Sequence, residues 1–109
     1  MIAKRPSIFI YAYNPDSAIL KEICAGIEEE GVFFESFEKD YSSVQDLAFD
    51  AANDSMLGSG IGISGKSVVL QIKGINKENC VSSYENPLAD ECRTAGANSA
   101  RIIKKMPLK

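Results

Sequence analysis

Histidine is absent from the chain, and that absence narrows the chemistry at once. Without an imidazole there is no Ser-His or Cys-His nucleophile pair, no general base of the commonest kind, and few of the usual zinc or iron sites. Enzymatic chemistry would have to rest on carboxylates, lysine or tyrosine. Clustered positive charge is missing as well. Twelve Lys and Arg stand against 15 Asp and Glu, a net charge of −3, whereas nucleic-acid binding is driven by basic patches. No apolar run approaches the roughly 20 residues of a membrane helix. The opening "MIAKRPSIFIYAY" has only a short, mixed apolar stretch and no small-residue cleavage site, which argues against a signal peptide. Cys24, Cys80 and Cys92 are odd in number, widely spaced and without a CxxC. They read as reduced, partly buried thiols of a cytoplasmic protein rather than as disulfides or a zinc site. Internal repeats, linkers and low-complexity tracts are lacking too, so residues 1–109 are expected to form one domain.

What is present alternates between strand and helix patterns. "SIFIYAY" (7–13) is a β-branched and aromatic run, and Asn14-Pro15 after it suits a helix start. Ile19, Leu20, Ile23, Cys24 and Ile27 then form one stripe at helical spacing, with Gly31 just beyond the helix end. "VFFESFE" (32–38) is a second strand. Ser43, three residues before Asp46, opens a second helix with Val44, Leu47, Ala48 and Ala51 inward. "SGIGI" and "SVVLQIK" are strands joined by Gly65-Lys66, and "NCVSSYE" (79–85) is a weaker one. Asn86-Pro87 opens a last helix with a stripe of Leu88, Cys92, Ala95, Ser99, Ile102, Ile103 and Met106, ended by Pro107. The order β-α-β-α-β-β-β-α predicts a three-layer α/β/α domain. Its sheet is largely parallel, but the tight third connection forces strand 4 to run antiparallel.

"GSGIGISGKSVVL" (58–70) carries two nucleotide signatures as text: Gly60, Gly65, Lys66 and Ser67 fit a P-loop, and Gly60, Gly62 and Gly65 fit a dinucleotide motif. Both need a helix directly after the glycines, and "VVLQI" is β-branched and short. The alternation of Gly60, Ile61, Gly62, Ile63 and Ser64 is that of a strand, and Gly65-Lys66 suits a two-residue hairpin turn. No nucleotide-binding residues are therefore assigned.

A sharper anomaly is Glu28-Glu29-Glu30, which closes the first helix where its dipole is negative. Each exposed carboxylate there is disfavoured by roughly 0.3–1 kcal/mol, and Lys21 lies too far back to pair at i, i+4. At about 100° per residue Glu29 points almost opposite the apolar stripe, free to meet a cation on another molecule. A rule broken without compensation inside the chain marks a candidate functional site; a solvated acidic end is the alternative. In "RTAGANSAR" (93–101) small residues fill two helical turns, as close packing onto the domain's own sheet would require, although Gly96 costs about 1 kcal/mol relative to Ala. Tyr11, Tyr13 and Tyr41 read as half-buried aromatics, with an interface role as the alternative.

"GIEEEGVFF" (26–34), "AFDAANDSMLGSGIGI" (48–63) and "RTAGANSARIIKKMP" (93–107), in that order, resemble the small subunit of the reactivating factor for adenosylcobalamin-dependent glycerol and propanediol dehydratases. "SYENPLADECR" (83–93) is a looser match. Where relatives tend to have Thr-Gly-Asn-Asn-Ala-Ala-Arg, residues 95–101 are Ala-Gly-Ala-Asn-Ser-Ala-Arg. The resemblance implies the fold of the dehydratase medium subunit, with a five-stranded sheet of order 2-1-3-4-5. It implies no catalytic residues and no cofactor of the chain's own. It implies a large, Hsp70-like ATPase partner that binds ATP, a heterotetramer with it, and release of damaged cobalamin by exchange with the medium subunit. Glu29 would complete a Mg²⁺ or Ca²⁺ site held mostly by that partner, and Glu28, Glu29, Glu30, Arg93, Asn98 and Arg101 would face it. The expected location is the cytoplasm or a bacterial microcompartment; nucleic acid and membrane are not expected partners. Two other readings stand beside this one. The first is a stand-alone homologue of the dehydratase medium subunit, which the short stretch before "SIFIYAY" disfavours. The second is a small flavodoxin-like nucleotide-binding protein, for which the loop "NPDS" (14–17) lacks glycine and carries an acid.

Overall fold

The computed structural model describes residues 5–109. Residues 1–4, which open the stretch weighed above as a signal peptide, lie outside the described residues. β1 (Ile8–Tyr13) divides its side chains by strand alternation. Ile8, Ile10 and Ala12 enter one core, while Tyr11 enters the opposite one with Phe9 and Tyr13 packed against it. α1 (Ser17–Glu29) follows, then β2 (Phe34–Glu38), α2 (Val44–Asp54), β3 (Ser59–Ser64), β4 (Ser67–Ile72), β5 (Ser82–Glu85) and α3 (Ala89–Ile103). The sheet order is β2-β1-β3-β4-β5. β1 pairs parallel with β2 and β3, and β4 pairs antiparallel with β3 and β5. The expected order and the reversed fourth strand are both present.

α1 and α3 pack side by side on one face, where Ile19, Ile23, Ile27, Cys92 and Ala100 meet Ile61, Ile63, Val68 and Leu70. α2 covers the other face over β1, β3 and β4. The glycines of "GSGIGI" have a packing reason there. A Cβ on Gly60 would strike the backbone of Ala51 and Ala52, and one on Gly62 that of Val44 and Ala48. Glycine on alternate residues of β3 lets α2 lie directly on the strand, and this close approach was not read from the sequence.

Several element ends differ from the sequence reading by a residue or two. α1 is capped by Asp16, whose Oδ1 accepts from the amides of Ala18 (3.0 Å) and Ile19 (3.1 Å), and Asn14 instead takes φ +43° in the turn before it. The carboxylate two residues on reaches the open amides better. α2 has the expected Ser43 cap, with Oγ accepting from Asp46 N at 3.3 Å. α3 starts at Ala89, not at Asn86-Pro87, and Glu91 Oε1 reaches back to accept from Leu88 N at 2.8 Å. It stops before Pro107, where Lys105 turns left-handed with φ +57°.

Gly65 and Lys66 make the two-residue turn between β3 and β4, with φ +59° at Gly65. The turn is tied to the loops on both sides. Gly65 N donates to Tyr13 O (3.1 Å), Asp16 N to Gly65 O (2.9 Å) and Asn86 N to Lys66 O (2.8 Å). The hairpin tip thus sits at the carboxyl ends of β1 and β5, beside the crevice where open α/β sheets hold nucleotides.

Candidate partner interface at the α1–α3 seam

The two helices that carry the sequence-predicted residues cross through a pair of glycines. A Cβ on Gly26 would run into the carbonyl oxygen of Arg93, and a Cβ on Gly96 into that of Ile23. Each helix therefore receives the backbone of the other. Gly96 of "RTAGANSAR" serves this helix–helix approach, while Ser99 lies on the sheet as expected, its carbonyl accepting from Ser59 Oγ of β3 at 2.9 Å. The close crossing brings side chains from the two helices within reach across the seam's outer rim.

There the acidic end of α1 meets basic groups of α3. Glu30, the C-cap residue, accepts from Arg101 Nε and Lys104 Nζ, each at 3.0 Å, and Lys104 Nζ also donates to the Glu30 carbonyl at 2.8 Å. The Lys104 and Arg101 hydrogen bonds hold the Glu30 carboxyl below the usual carboxylate range. Arg93 forks between two carboxylates, with Nη2 2.6 Å from Glu22 Oε1 and Nη1 3.3 Å from Glu29 Oε2. Glu28 is exposed. Glu29 and Glu30 are thus compensated inside the chain, contrary to the expectation, by residues 64 to 74 positions away in sequence.

The six predicted residues do not form one uniform surface. Glu28, Glu29 and Arg93 are exposed at the seam. Glu30 is largely covered by its two cations, with 9% of its side chain accessible. Asn98 is buried, and its Oδ1 accepts from Lys109 N at 2.9 Å. Arg101 also donates from Nη1 to Pro107 O at 3.1 Å. Asn98 and Arg101 therefore fasten the segment after α3 back along the helix. Glu22 and Lys104 were missed. Glu22 lies two turns before Glu29 on α1, a spacing that puts both on one face and was the signal to follow.

Chemistry elsewhere is quiet. Tyr11 Oη donates to Asp54 Oδ2 at 2.5 Å and Tyr41 Oη to Asp50 Oδ2 at 2.7 Å. Burial first, then these carboxylates, push both phenols far up. Burial and Glu28 push the Cys24 thiol up to about 11, and burial also raises Cys92. All four groups keep their protons at neutral pH. Cys24 is half-buried and Cys92 buried as expected, whereas Cys80 is exposed; all three are free thiols. A cleft of about 220 Å³ lies between the starts of α1 and α3, lined by Asp16, Ile19, Glu22, Lys66, Asn86 and Cys92 among others. The Asp16 carboxylate already occupies the α1 amides there, which leaves that terminus poor for phosphate. Among the described residues no group of three or more His, Cys, Asp and Glu could hold a metal ion, and no helix is long and apolar enough to cross a membrane.

The model of the dehydratase medium subunit family matches residues 5–109. The propanediol dehydratase-reactivating factor small subunits of Citrobacter freundii and Salmonella typhimurium are 30% and 29% identical over 105 residues, 95% of this chain and 90% of theirs. The diol dehydratase-reactivating factor small subunit of Klebsiella michiganensis is 28% identical, over 95% of this chain and 84% of its own. Among solved structures, a glycerol dehydratase reactivase superposes with a TM-score of 0.91 at 25% identity, covering 96% of this chain and 97% of that one. A diol dehydratase-reactivating factor complexed with ADP and Mg²⁺ gives 0.90 at 27% identity, covering 97% and 99%. The chain belongs to the dehydratase medium subunit family, with the small subunits of dehydratase-reactivating factors as its relatives.

Proposed function

We propose that the chain is the non-catalytic small subunit of a reactivating factor that frees damaged adenosylcobalamin from inactivated glycerol or diol dehydratase. It pairs with a large ATPase subunit, in a heterotetramer, and works by subunit exchange. The small subunit leaves the complex, and the dehydratase medium subunit takes its place on the large one. The observation that carries this reading is a double likeness. A family model described as the dehydratase medium subunit spans residues 5–109, while the curated relatives are reactivating-factor small subunits. Two proteins of one fold can compete for one surface. ATP is assigned to the large subunit. The hairpin tip beside the sheet crevice and the self-capped α1 terminus support that assignment. The diol dehydratase-reactivating factor solved as a complex with ADP and Mg²⁺ supports it as well.

The seam is the surface assigned to the large subunit, and Glu29 is its metal-facing residue. An exposed carboxylate suits Mg²⁺ or Ca²⁺, which take oxygen ligands. With no ligand cluster of its own among the described residues, this chain would contribute one oxygen donor and the partner the rest. A bound divalent cation would bridge the two chains there. Glu29→Ala is expected to weaken the complex with the large subunit or remove its divalent-ion dependence; a complex unchanged in both respects would sink the metal role and leave the family untouched.

Exchange is tested by mixing the purified complex of this chain and the large subunit with inactivated dehydratase, ATP and Mg²⁺, then resolving the species on native gels. The expected result is free small subunit together with a new large-subunit–medium-subunit species. A chain that instead enters the dehydratase in place of the medium subunit, and never binds the large subunit, would support the medium-subunit homologue reading.

A further inference from the structure

Met56 (73% accessible) and Leu88 (68%) are the most exposed large apolar side chains among the described residues. They lie at opposite ends of α3. Leu88 is its N-cap, and Met56, in the turn before β3, sits beside its last residues. The 15 residues of α3 hold the two ends about 22 Å apart. A lone exposed apolar residue needs no explanation, but each of these stands among charges of one sign. Met56 shares an open groove of about 460 Å³ with Ile72, Ile102, Ile103, Lys73 and Lys105. No carboxylate lines it, although acids outnumber bases in the chain by 15 to 12. Neither lysine joins an ion pair among the described residues. Leu88 has the opposite company. It is exposed together with Asp90 and Glu91, and no Lys or Arg occurs from 81 to 92. Asp90 Oδ1 accepts from Glu91 N at 3.0 Å and Glu91 Oε1 from Leu88 N at 2.8 Å, which fixes both carboxylates and leaves each a second oxygen to offer.

We infer that the groove receives the α3 start of a second copy of this chain, with Leu88 entering beside Met56 and the isoleucines while Asp90 and Glu91 meet Lys73 and Lys105. The two surfaces differ and lie at opposite ends of one helix, so the contact is heterologous. A copy held by its groove still offers its own Leu88, and copies add head to tail unless the rotation closes a ring. One apolar side chain with two ion pairs is far smaller than a standard interface of about 1,600 Å², so the association is weak, reversible and driven by concentration. Burial of Leu88 supplies the attraction; the exposed ion pairs, individually weak, decide which end meets which. None of these residues belongs to the charged rim of the α1–α3 seam, so the contact stands independently of subunit exchange.

The test is sedimentation of the full chain alone over a range of concentrations, with circular dichroism verifying the fold of each variant. At low salt the weight-average mass is expected to rise past that of a dimer. It is expected to fall back towards the monomer in about 1 M NaCl, where the screening length shrinks to about 3 Å. Leu88→Lys breaks the head and the double variant Lys73→Glu/Lys105→Glu breaks the groove; each alone is expected to stay monomeric. Mixed in equal amounts, they retain one intact head and one intact groove between them, and are expected to form dimers that grow no further. General loosening of the fold cannot produce that rescue. A wild type that stays monomeric throughout would overturn the proposal, and so would one that stops at a dimer, the mark of a self-complementary surface. Mixed variants that fail to pair, or that grow beyond a dimer, would overturn it too. A monomeric wild type whose assembly with the large subunit is weakened by Lys73→Glu/Lys105→Glu would give the groove to that partner instead.

Discussion

Glu30 caps the C-terminus of α1, where a carboxylate is unwelcome, and it is tolerated because Arg101 and Lys104 sit 3.0 Å away. The direction of its titration gives a prediction. Its folded pKa is lowered, so its stabilising contribution is complete above the unfolded value of about 4.3 and fades as pH falls through the folded value. The stability difference between wild type and Glu30→Gln, measured by urea denaturation, is expected to shrink from pH 6 to pH 3; a constant difference would contradict the ion pair. Gly26 and Gly96 give a second prediction. Alanine is better than glycine in a helix by about 1 kcal/mol, but each Cβ would meet a backbone carbonyl of the neighbouring helix. Overpacking of that kind costs typically about 1–3 kcal/mol and a rigid backbone cannot yield as a side chain can, so Gly26→Ala is expected to lower the urea midpoint. A midpoint unchanged or raised would mean that the helices can separate freely. From sequence, the glutamate triplet was visible as an anomaly, because local helix rules suffice to see it. Its compensation was not visible, because Arg93 and Arg101 of α3 and its C-cap Lys104 lie 64 to 74 residues away, beyond any i, i+4 rule.

At the scale of elements, the β3–β4 hairpin shows how context overrules a motif. Gly65-Lys66 satisfies the wording of a P-loop, yet β4 follows it directly and its backbone bonds bind the tip to the loops before α1 and α3. Lys66 is exposed there. Lys66→Ala is expected to alter stability by less than about 0.5 kcal/mol, as surface substitutions do, and to leave large-subunit binding unchanged; a large loss of either would restore a role to the motif. Gly65→Val forces a β-branched residue to φ +59° and is expected to destabilise by more than about 1 kcal/mol, read from the thermal midpoint. The strand and helix types were legible from alternation and helical stripes. Cap identities were less so: Asn14 and Asp16 both suit a helix start, and only the fold shows which carboxylate or amide reaches the open N–H groups. The glycines on β3 were legible as strand residues and not as a seat for α2, since a missing Cβ has no periodic signal of its own.

For the whole molecule, the reversed fourth strand followed from one tight turn, whereas the order β2-β1-β3-β4-β5 came from family likeness, because sequence patterns say which strands exist and not which edge each joins. The completed fold offers little free chemistry: the phenols of Tyr11 and Tyr41 are bonded to carboxylates, Cys92 is buried, and most charges of the α1–α3 seam are paired with one another. On the proposed reading such a molecule acts by being bound and exchanged. The most direct measurement is release of damaged cobalamin from inactivated dehydratase supplied with the large subunit, ATP and Mg²⁺, with and without this chain, followed by absorbance of the freed cofactor. The predicted result is faster release and recovered dehydratase activity only when the chain is present. Release at the same rate without the chain, or none with it, would contradict its role as the exchanging subunit.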